Sequence, residues 1–292
     1  MPSIRDIRQH IRGIRNIRQV TRAMNMTAAA RLRRAQAKLE NSRAYAQRLG
    51  SLLQLTLSAT AKARHPMLDQ RPLRRAALLV ISSDRGLCGP FNSAILREAG
   101  RFVEQQRTDV GLIVVGRKAR DFFQRMGIAL DAYFPQPSRE VTSRELRAIS
   151  ETILQHYCNG HSDQVHIVYA HFVSALKNEP RVLQLLPVHP SGIVAETARA
   201  GFAPQFEPPA EQLLDALLRQ YLENLVYTAL VESFASEQAS RMIAMKAATD
   251  SATEMIESLT HQYNRARQTA ITTQILEVVS GAEALKHAEK PE

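Results

Sequence analysis

EQLLDALLRQYLENLVYTALVESFASEQASRMIAMKAATDSATEMIESLTHQYNRARQTAITTQILEVVS, residues 211–280, contains neither glycine nor proline. Apolar residues recur through it at helical spacing, at Leu214, Leu218, Leu225, Phe234, Met242, Met255, Leu259, Ile275 and Val279. At a rise of 1.5 Å per residue, one helix over this stretch is about 100 Å long, far beyond an ordinary globular helix. A lone helix of that length would leave its apolar stripe in water, so the chain must supply a partner.

The partner is the N-terminus. Ile4, Ile7, Ile11, Ile14, Ile17, Val20 and Met24 follow one another in steps of three and four, and define one face of a second helix. Arg5, Arg8, Arg12, Arg15, Arg18 and Arg22 make a flanking stripe about 100° further round. Ala28, Leu32, Ala35, Leu39, Tyr45, Leu49, Leu52 and Leu55 continue the pattern, which only Gly13 and Gly50 interrupt, and the helix is expected to end near His65, before Pro66. Both helices join the same central region, which predicts an antiparallel two-helix coiled coil. Ala28, Ala29, Ala30, Ala244, Ala247, Ala248 and Ala252 are small enough for close approach, and the longer C-terminal helix is expected to run past its partner in its last turns.

Between the helices the character changes. RRAALLVIS (74–82) and VGLIVV (110–115) are short apolar runs of the kind buried on both faces of a sheet. Further strands are expected at 129–133, 164–171 and 181–186, with helices at 90–106, 117–126 and 142–157. Strands alternating with helices predict a mostly parallel sheet with right-handed crossovers, a Rossmann-like α/β domain. The expected organisation is an N-terminal coiled-coil helix (1–65), the α/β domain (66–190), a Pro-rich loop (191–210) and a C-terminal coiled-coil helix (211–292).

The 292 residues are 45% apolar, enough to bury a core, and carry a formal charge of +10. Residues 1–50 hold 12 Lys and Arg against Asp6 and Glu40, so the excess charge sits on one segment and faces acidic protein, nucleic acid or an anionic membrane. Cys88 and Cys158 form no CxxC pair, which speaks against a zinc site or disulfide framework and for a reducing compartment. No long apolar run spans a bilayer and the amphipathic pattern begins at Ile4, so neither a leader peptide nor lipid insertion is expected.

Candidate chemical sites weigh lightly. SSDRGLCGPFN (82–92) lies where a phosphate-cradling loop would, but matches neither GxxxxGK[ST] nor GxGxxG. It reads as a turn through Gly86 and Gly89 with Asp84 or Asn92 capping the next helix, and with Cys88 a buried thiol. His156, His161, His166 and His171 recur every five residues, but an odd spacing puts His166 and His171 on opposite strand faces, against joint metal binding. No HExxH, GxSxG or paired-carboxylate arrangement is present, and no catalytic residue, metal or cofactor is expected. The arginine stripe keeps an alternative open, an Arg-rich coiled coil that binds nucleic acid, although Tyr45 is the first aromatic residue that could stack on a base. Met24, Met26, Met242, Met245 and Met255 suit either core packing or an adaptable surface against an enclosing partner.

NIRQVTRAMNMTAAARLRRAQ (16–36), SSDRGLCGPFN (82–92), ASEQASRMIAMKAATDSA (235–252) and YNRARQTAITTQILEVVSGAEAL (263–285) together resemble the γ subunits of F-type ATP synthases. VYAHFVSALKNEPRVLQLLP (168–187) is similar to that family's central domain, and LLDALLRQYLENLVYTALVESFASEQASRM (213–242) to the start of its second helix, so the likeness spans the chain in order. The resemblance implies a non-catalytic central rotor shaft, a peripheral part of the F1 sector on the cytoplasmic face of a bacterial membrane. Its implied partners are the ring of three α and three β subunits, the ε subunit and the c-ring of Fo. By resemblance, Met24 lies near the acidic lever loop of β, while Arg241, Arg267, Gln268, Thr272 and Gln274 fall in the segment that engages the β catch loop. Glu207 in FEPPA (206–210) resembles the foot motif that faces the rotor ring. Thr273 and Gln274 stand where the family usually has Gln-Glu, Ile17 replaces a customary Thr and Thr27 a customary Val, and the cysteine-bearing insertion of photosynthetic relatives is absent.

Overall fold

The computed structural model describes residues 3–60, 65–106, 108–137, 141–189 and 206–288, with side chains described as far as residue 282. Most of the Pro-rich stretch expected at 191–210 lies outside the described residues. The chain divides into two compact units, one of Met1–Thr27 with Ala244–Glu292 and one of Ala28–Ile243. Both long helices run through each: α1 is Ile4–Ala59, and α5 is Ala210–Ala288. At 79 residues, α5 has an axial length of about 120 Å.

In the larger unit, β1 (Arg75–Ile81), α2 (Phe91–Gln105), β2 (Asp109–Val115), α3 (Arg117–Arg125), β3 (Ala132–Phe134), α4 (Ser143–Cys158), β4 (Gln164–Phe172) and β5 (Asn178–Leu186) follow one another along the chain. The sheet order is β3-β2-β1-β4-β5. The first four strands are parallel, and β5 pairs antiparallel with β4 from Phe172↔Asn178 to Val165↔Leu186. This is the mostly parallel α/β sheet the sequence predicts. Two strand boundaries differ. The β3 pairing begins only at Ala132, because Ile128 and Leu130 instead pack beneath α2 and α3. Strand β5 begins at Asn178, three residues early, since Asn178, Glu179 and Pro180 lack an apolar signal yet suit an edge strand, where the missing proline N–H costs no ladder bond.

The alternation of the central strands sorts the core into two layers. Leu78, Val80, Leu112 and Val114 face α2 and α3. Ala77, Leu79, Ile81, Ile113 and Val115 face α4 and the helices α1 and α5. α4 starts with a reciprocal capping box between Thr142 and Glu145, and Tyr157 near its end is fully buried, its hydroxyl donating to the Asp69 carbonyl. Gly116 follows β2 at φ 93°, where a Cβ would run into the Ser82 carbonyl, so only glycine fits between the ends of β1 and β2.

Within this unit α1 and α5 run antiparallel, Ser42 meeting Thr228 and Tyr45 meeting Gln220. Their seam is narrow. On α1 the buried side chains run through Ala28, Leu32, Ala35, Leu39, Ser42, Leu49, Leu53 and Thr56, steps of three and four with half-buried Ala46 filling the one longer gap, and Gly50 is buried beside Leu49. Ala235 and Ala239 of α5 are completely buried against it. Tyr45 and Leu52, read as part of the stripe, are exposed, because the small hydroxyls Ser42 and Thr56 hold the seam where the helices approach too closely for larger side chains.

In the smaller unit the two helices are again antiparallel. Ile7, Ile11 and Ile256 form its buried cluster, flanked by Ile14, Leu259, Tyr263 and Ala266. Further along, Thr21 and Thr249 share a 2.8 Å hydroxyl contact. Thr21 takes the seam position, leaving Ile17 57% and Val20 58% exposed, so the apolar face read onward from Ile14 through Ile17 and Val20 leaves the packed seam after Ile14. Of the alanines expected at close approach, Ala28 and Ala252 are buried. At the start of α1, Ser3 and Asp6 bond each other's backbone N–H at 3.2 Å and cap the helix.

Candidate functional site

The smaller unit presents a surface that mixes cations with large apolar side chains. Arg5, Arg12, Arg15 and Arg22 are exposed, and among the described residues none of them is in an ion pair. Arg8 is committed inward: its guanidinium donates to the Tyr263 hydroxyl at 2.7 Å and lies 5.5 Å from the ring centroid. That bond holds the Tyr263 phenol below its ordinary pKa. Ile17, Val20, Met26 and Met255 are exposed beside this stripe, and every residue of α5 from Ile271 to Ala282 is exposed, including Ile275, Leu276, Val278 and Val279. Arginine, methionine and exposed aliphatics together are the composition of a surface made to be covered by another protein.

Met24 is half-buried in this unit, and Arg267, Gln268, Thr272 and Gln274 are exposed on the same unit's α5 segment. The Thr272 hydroxyl donates to the Gln268 carbonyl one turn back. Arg241 belongs to the other unit and is turned inward, with about a tenth of its side chain exposed. Its donors meet a buried carboxylate and a loop carbonyl within the chain. Glu207 is exposed, three residues before α5 begins.

Those internal partners form an anchor at the carboxyl edge of the sheet. The Ala170 N–H at the end of β4 donates to Ser233 Oγ at 2.9 Å, and Ser236 Oγ donates back to the Ala170 carbonyl at 3.3 Å. His171 Nδ1 meets Glu232 Oε2 at 2.6 Å. Glu237, only 3% exposed, accepts from Gln136 Nε2 and from Arg241 Nη1, each at 2.5 Å. Arg241 Nη2 then reaches the Gly86 carbonyl at 3.1 Å, and the Gln136 oxygen accepts the Asp84 N–H at 3.0 Å. About two and a half turns of α5 are thereby tied to the loops after β1 and β3 and to the end of β4. In a doubly wound sheet, this crevice at the strand carboxyl ends, where the order reverses, is where a ligand sits. Here α5 occupies it. Burial, reinforced by the nearby Glu232 charge, pushes the Tyr169 phenol up to about 12.

The other candidates resolve as structure. Asn92 does not cap α2; its side-chain oxygen accepts both the N–H and the hydroxyl of Ser83. Asp84 caps α3 instead, accepting the Arg117 N–H at 2.8 Å, a partnership invisible in sequence because the residues are 33 apart. Cys88 is buried, and burial raises its thiol pKa, the opposite of an activated nucleophile. His166 and His171 do lie on opposite faces: His166 stacks 5.0 Å from Phe102, with burial lowering its pKa, whereas His171 pairs with Glu232. Among the described residues no cluster of three or more His, Cys, Asp or Glu is placed to hold a metal, and no helix is long and apolar enough to cross a membrane.

An α/β domain packed on an antiparallel pair of very long helices, which carry exposed cations beside exposed aliphatics, defines a subunit built to be covered by another protein. A family model described as ATP synthase matches residues 3–285. The ATP synthase gamma chain of Heliobacterium modesticaldum is 44% identical over 290 residues, covering 98% of this chain and 100% of that one. That of Desulfitobacterium hafniense is 42% identical over 286 residues, with 98% and 100% covered. Among solved structures, the central stalk of the Tetrahymena thermophila mitochondrial ATP synthase matches with a TM-score of 0.62 and 29% identity, covering 78% of this chain and 99% of that one. A rotor chain of the Euglena gracilis enzyme shares the fold, with a TM-score of 0.65 at 19% identity over 92% of this chain and 98% of that one. The chain belongs to the ATP synthase gamma-chain family. Nothing in these matches favours the nucleic-acid reading of the arginine stripe.

The anchor makes a stability prediction. Arg241→Met leaves Glu237 buried with one donor lost and the Gly86 carbonyl unpaired, and should destabilise the chain by about 3–5 kcal/mol in urea unfolding. Replacing both partners, Glu237→Leu with Arg241→Met, should recover most of that loss. A single variant as stable as the parent would mean that the pair does not anchor the helix.

Proposed function

We infer that this chain is the non-catalytic central shaft of a rotary, ion-translocating ATP synthase, and that it carries rotation between an ion-driven ring and the ATP-handling β subunits. The observation that carries this reading is the single 79-residue α5, which is paired with α1 and leaves the apolar side chains of its Ile271–Ala282 segment exposed. Its partners on this reading are the α and β subunits around the helices, an ε subunit and the c-ring. The coupled ion is a proton, and the chain is a peripheral part of the complex on the cytoplasmic face of a bacterial membrane.

A shaft biases a site only through contacts that differ between that site's states. Charge suits this task, since a cation attracts an acidic loop over a range of orientations where close packing holds at one. The unpaired Arg5, Arg12, Arg15 and Arg22 supply such contacts, and Met24 sits beside them for an adaptable apolar touch on the lever loop. On α5, we assign Arg267, Gln268, Thr272 and Gln274 to the β catch loop. Gln274 brings an amide where relatives usually bring a carboxylate, so the catch rests on hydrogen bonds more than on charge. Glu207 is assigned to the rotor-ring side, on the strength of its exposure and the FEPPA motif. Arg241 acts within the chain, as the lock between α5 and the sheet.

Expression with candidate α and β subunits tests the inference. Co-purification of a stoichiometric complex is the expected result, and salt-sensitive duplex binding without complex formation would reverse the reading. Within that complex, Gln268→Leu should lower ATP-driven proton pumping in reconstituted vesicles severalfold while the isolated chain stays folded. Unchanged pumping would remove Gln268 from the catch.

A further inference from the structure

The larger unit contains a cavity of about 620 Å³ between α1, α5 and the segment after β3, which shares Gln136 with the anchor. Its floor is apolar: Ile81 and Leu230 are buried there, and Tyr227 and Phe234 line one wall. Its other wall is cationic, formed by Arg31, Arg34 and Lys38 on one face of α1. Among the described residues, no acidic side chain lines it, and neither Arg31 nor Arg34 makes an ion pair. Two guanidinium groups on one helix face, without an ion pair among the described residues, repel each other, and they do so beside low-dielectric wall, where an anion would be attracted most strongly. The volume lies within the range of pockets that enclose small organic ligands, and an apolar body with a few fixed polar groups is what such pockets take.

We propose that this cavity is a binding site for a small amphiphilic anion, one carboxylate, sulfonate or phosphate head on an aromatic or aliphatic body. The head pairs with Arg31 and Arg34, whose planar donors match a trigonal or tetrahedral oxyanion, and the body lies on Ile81, Leu230, Tyr227 and Phe234. Inorganic phosphate alone satisfies only the cationic wall. A neutral aromatic molecule satisfies only the floor. The site therefore requires both halves in one molecule, and the proposal does not depend on the rotor function.

The chain has no tryptophan, so Phe234→Trp places a single reporter in the cavity wall of the full-length protein. Titration with 8-anilinonaphthalene-1-sulfonate should quench that tryptophan with saturation at one molecule per chain. Its uncharged analogue N-phenyl-1-naphthylamine should bind at least tenfold more weakly, and millimolar phosphate should not displace the sulfonate. Arg31→Gln with Arg34→Gln should weaken the sulfonate at least tenfold, at unchanged circular dichroism and urea midpoint. Equal binding of the neutral probe, full displacement by phosphate, or unaltered affinity in the double variant would each overturn the proposal. If Phe234→Trp misfolds, Tyr227→Trp carries the same measurement.

Discussion

A carboxylate inside a protein is tolerated only where donors meet it, and Glu237 is met from two sides, by Gln136 from the segment after β3 and by Arg241 from the next turn of its own helix. The rest of the larger unit is arranged around that fact. Arg241 reaches on to the Gly86 carbonyl, Gln136 also receives the Asp84 N–H, and Asp84 in turn caps α3. Ser233 and Ser236 take both backbone groups of Ala170 at the end of β4. A helix held by apolar contact alone can slide or roll by a fraction of a turn at modest cost. One held by directed hydrogen bonds to two separate loops and the end of a strand has a single register, and rotation of the helix must carry the sheet with it.

The same helix meets two different physical environments. Between Leu214 and Arg241 it is a spine, closed in by the sheet and by the alanine seam of α1. From Ile271 to Ala282 it is exposed on all sides, and its apolar residues are left for a partner protein. The absence of glycine and proline from 211–280 serves both segments, because a break anywhere would separate the anchored part from the exposed part. Close packing through Ala28, Ala35, Ala235, Ala239 and the Ser42–Thr228 pair keeps the two helices near each other without large side chains to spread them.

The architecture was legible because it is written in long-range patterns: the uninterrupted 211–280 stretch, the apolar runs of β1 and β2, and the alternation of strand and helix between them. The seam of α1 was not, since Thr21, Ser42 and Thr56 occupy packed positions while Ile17, Val20 and Leu52 face outward. Hydrophobicity marks which residues gain from burial, and at a close helix approach size decides instead. The anchor was equally hidden. Glu232, Ser233, Ser236, Glu237 and Arg241 look like the solvent face of a helix, and only the segments brought to them by the sheet make them a buried polar cluster. Arg241 was placed by resemblance among the residues that engage the β catch loop, and its burial follows from Gly86 and Glu237, neither of which signals a partner in sequence.

The central claim, that α5 is locked to the sheet by its polar belt, is tested most directly by native-state hydrogen exchange on the full chain. The account predicts that amides of residues 229–241 exchange only through global unfolding, as slowly as those of β1, whereas residues 271–282 exchange orders of magnitude faster. Exchange of 229–241 at low free energy while β1 remains protected would contradict it, because the helix would then open without the domain.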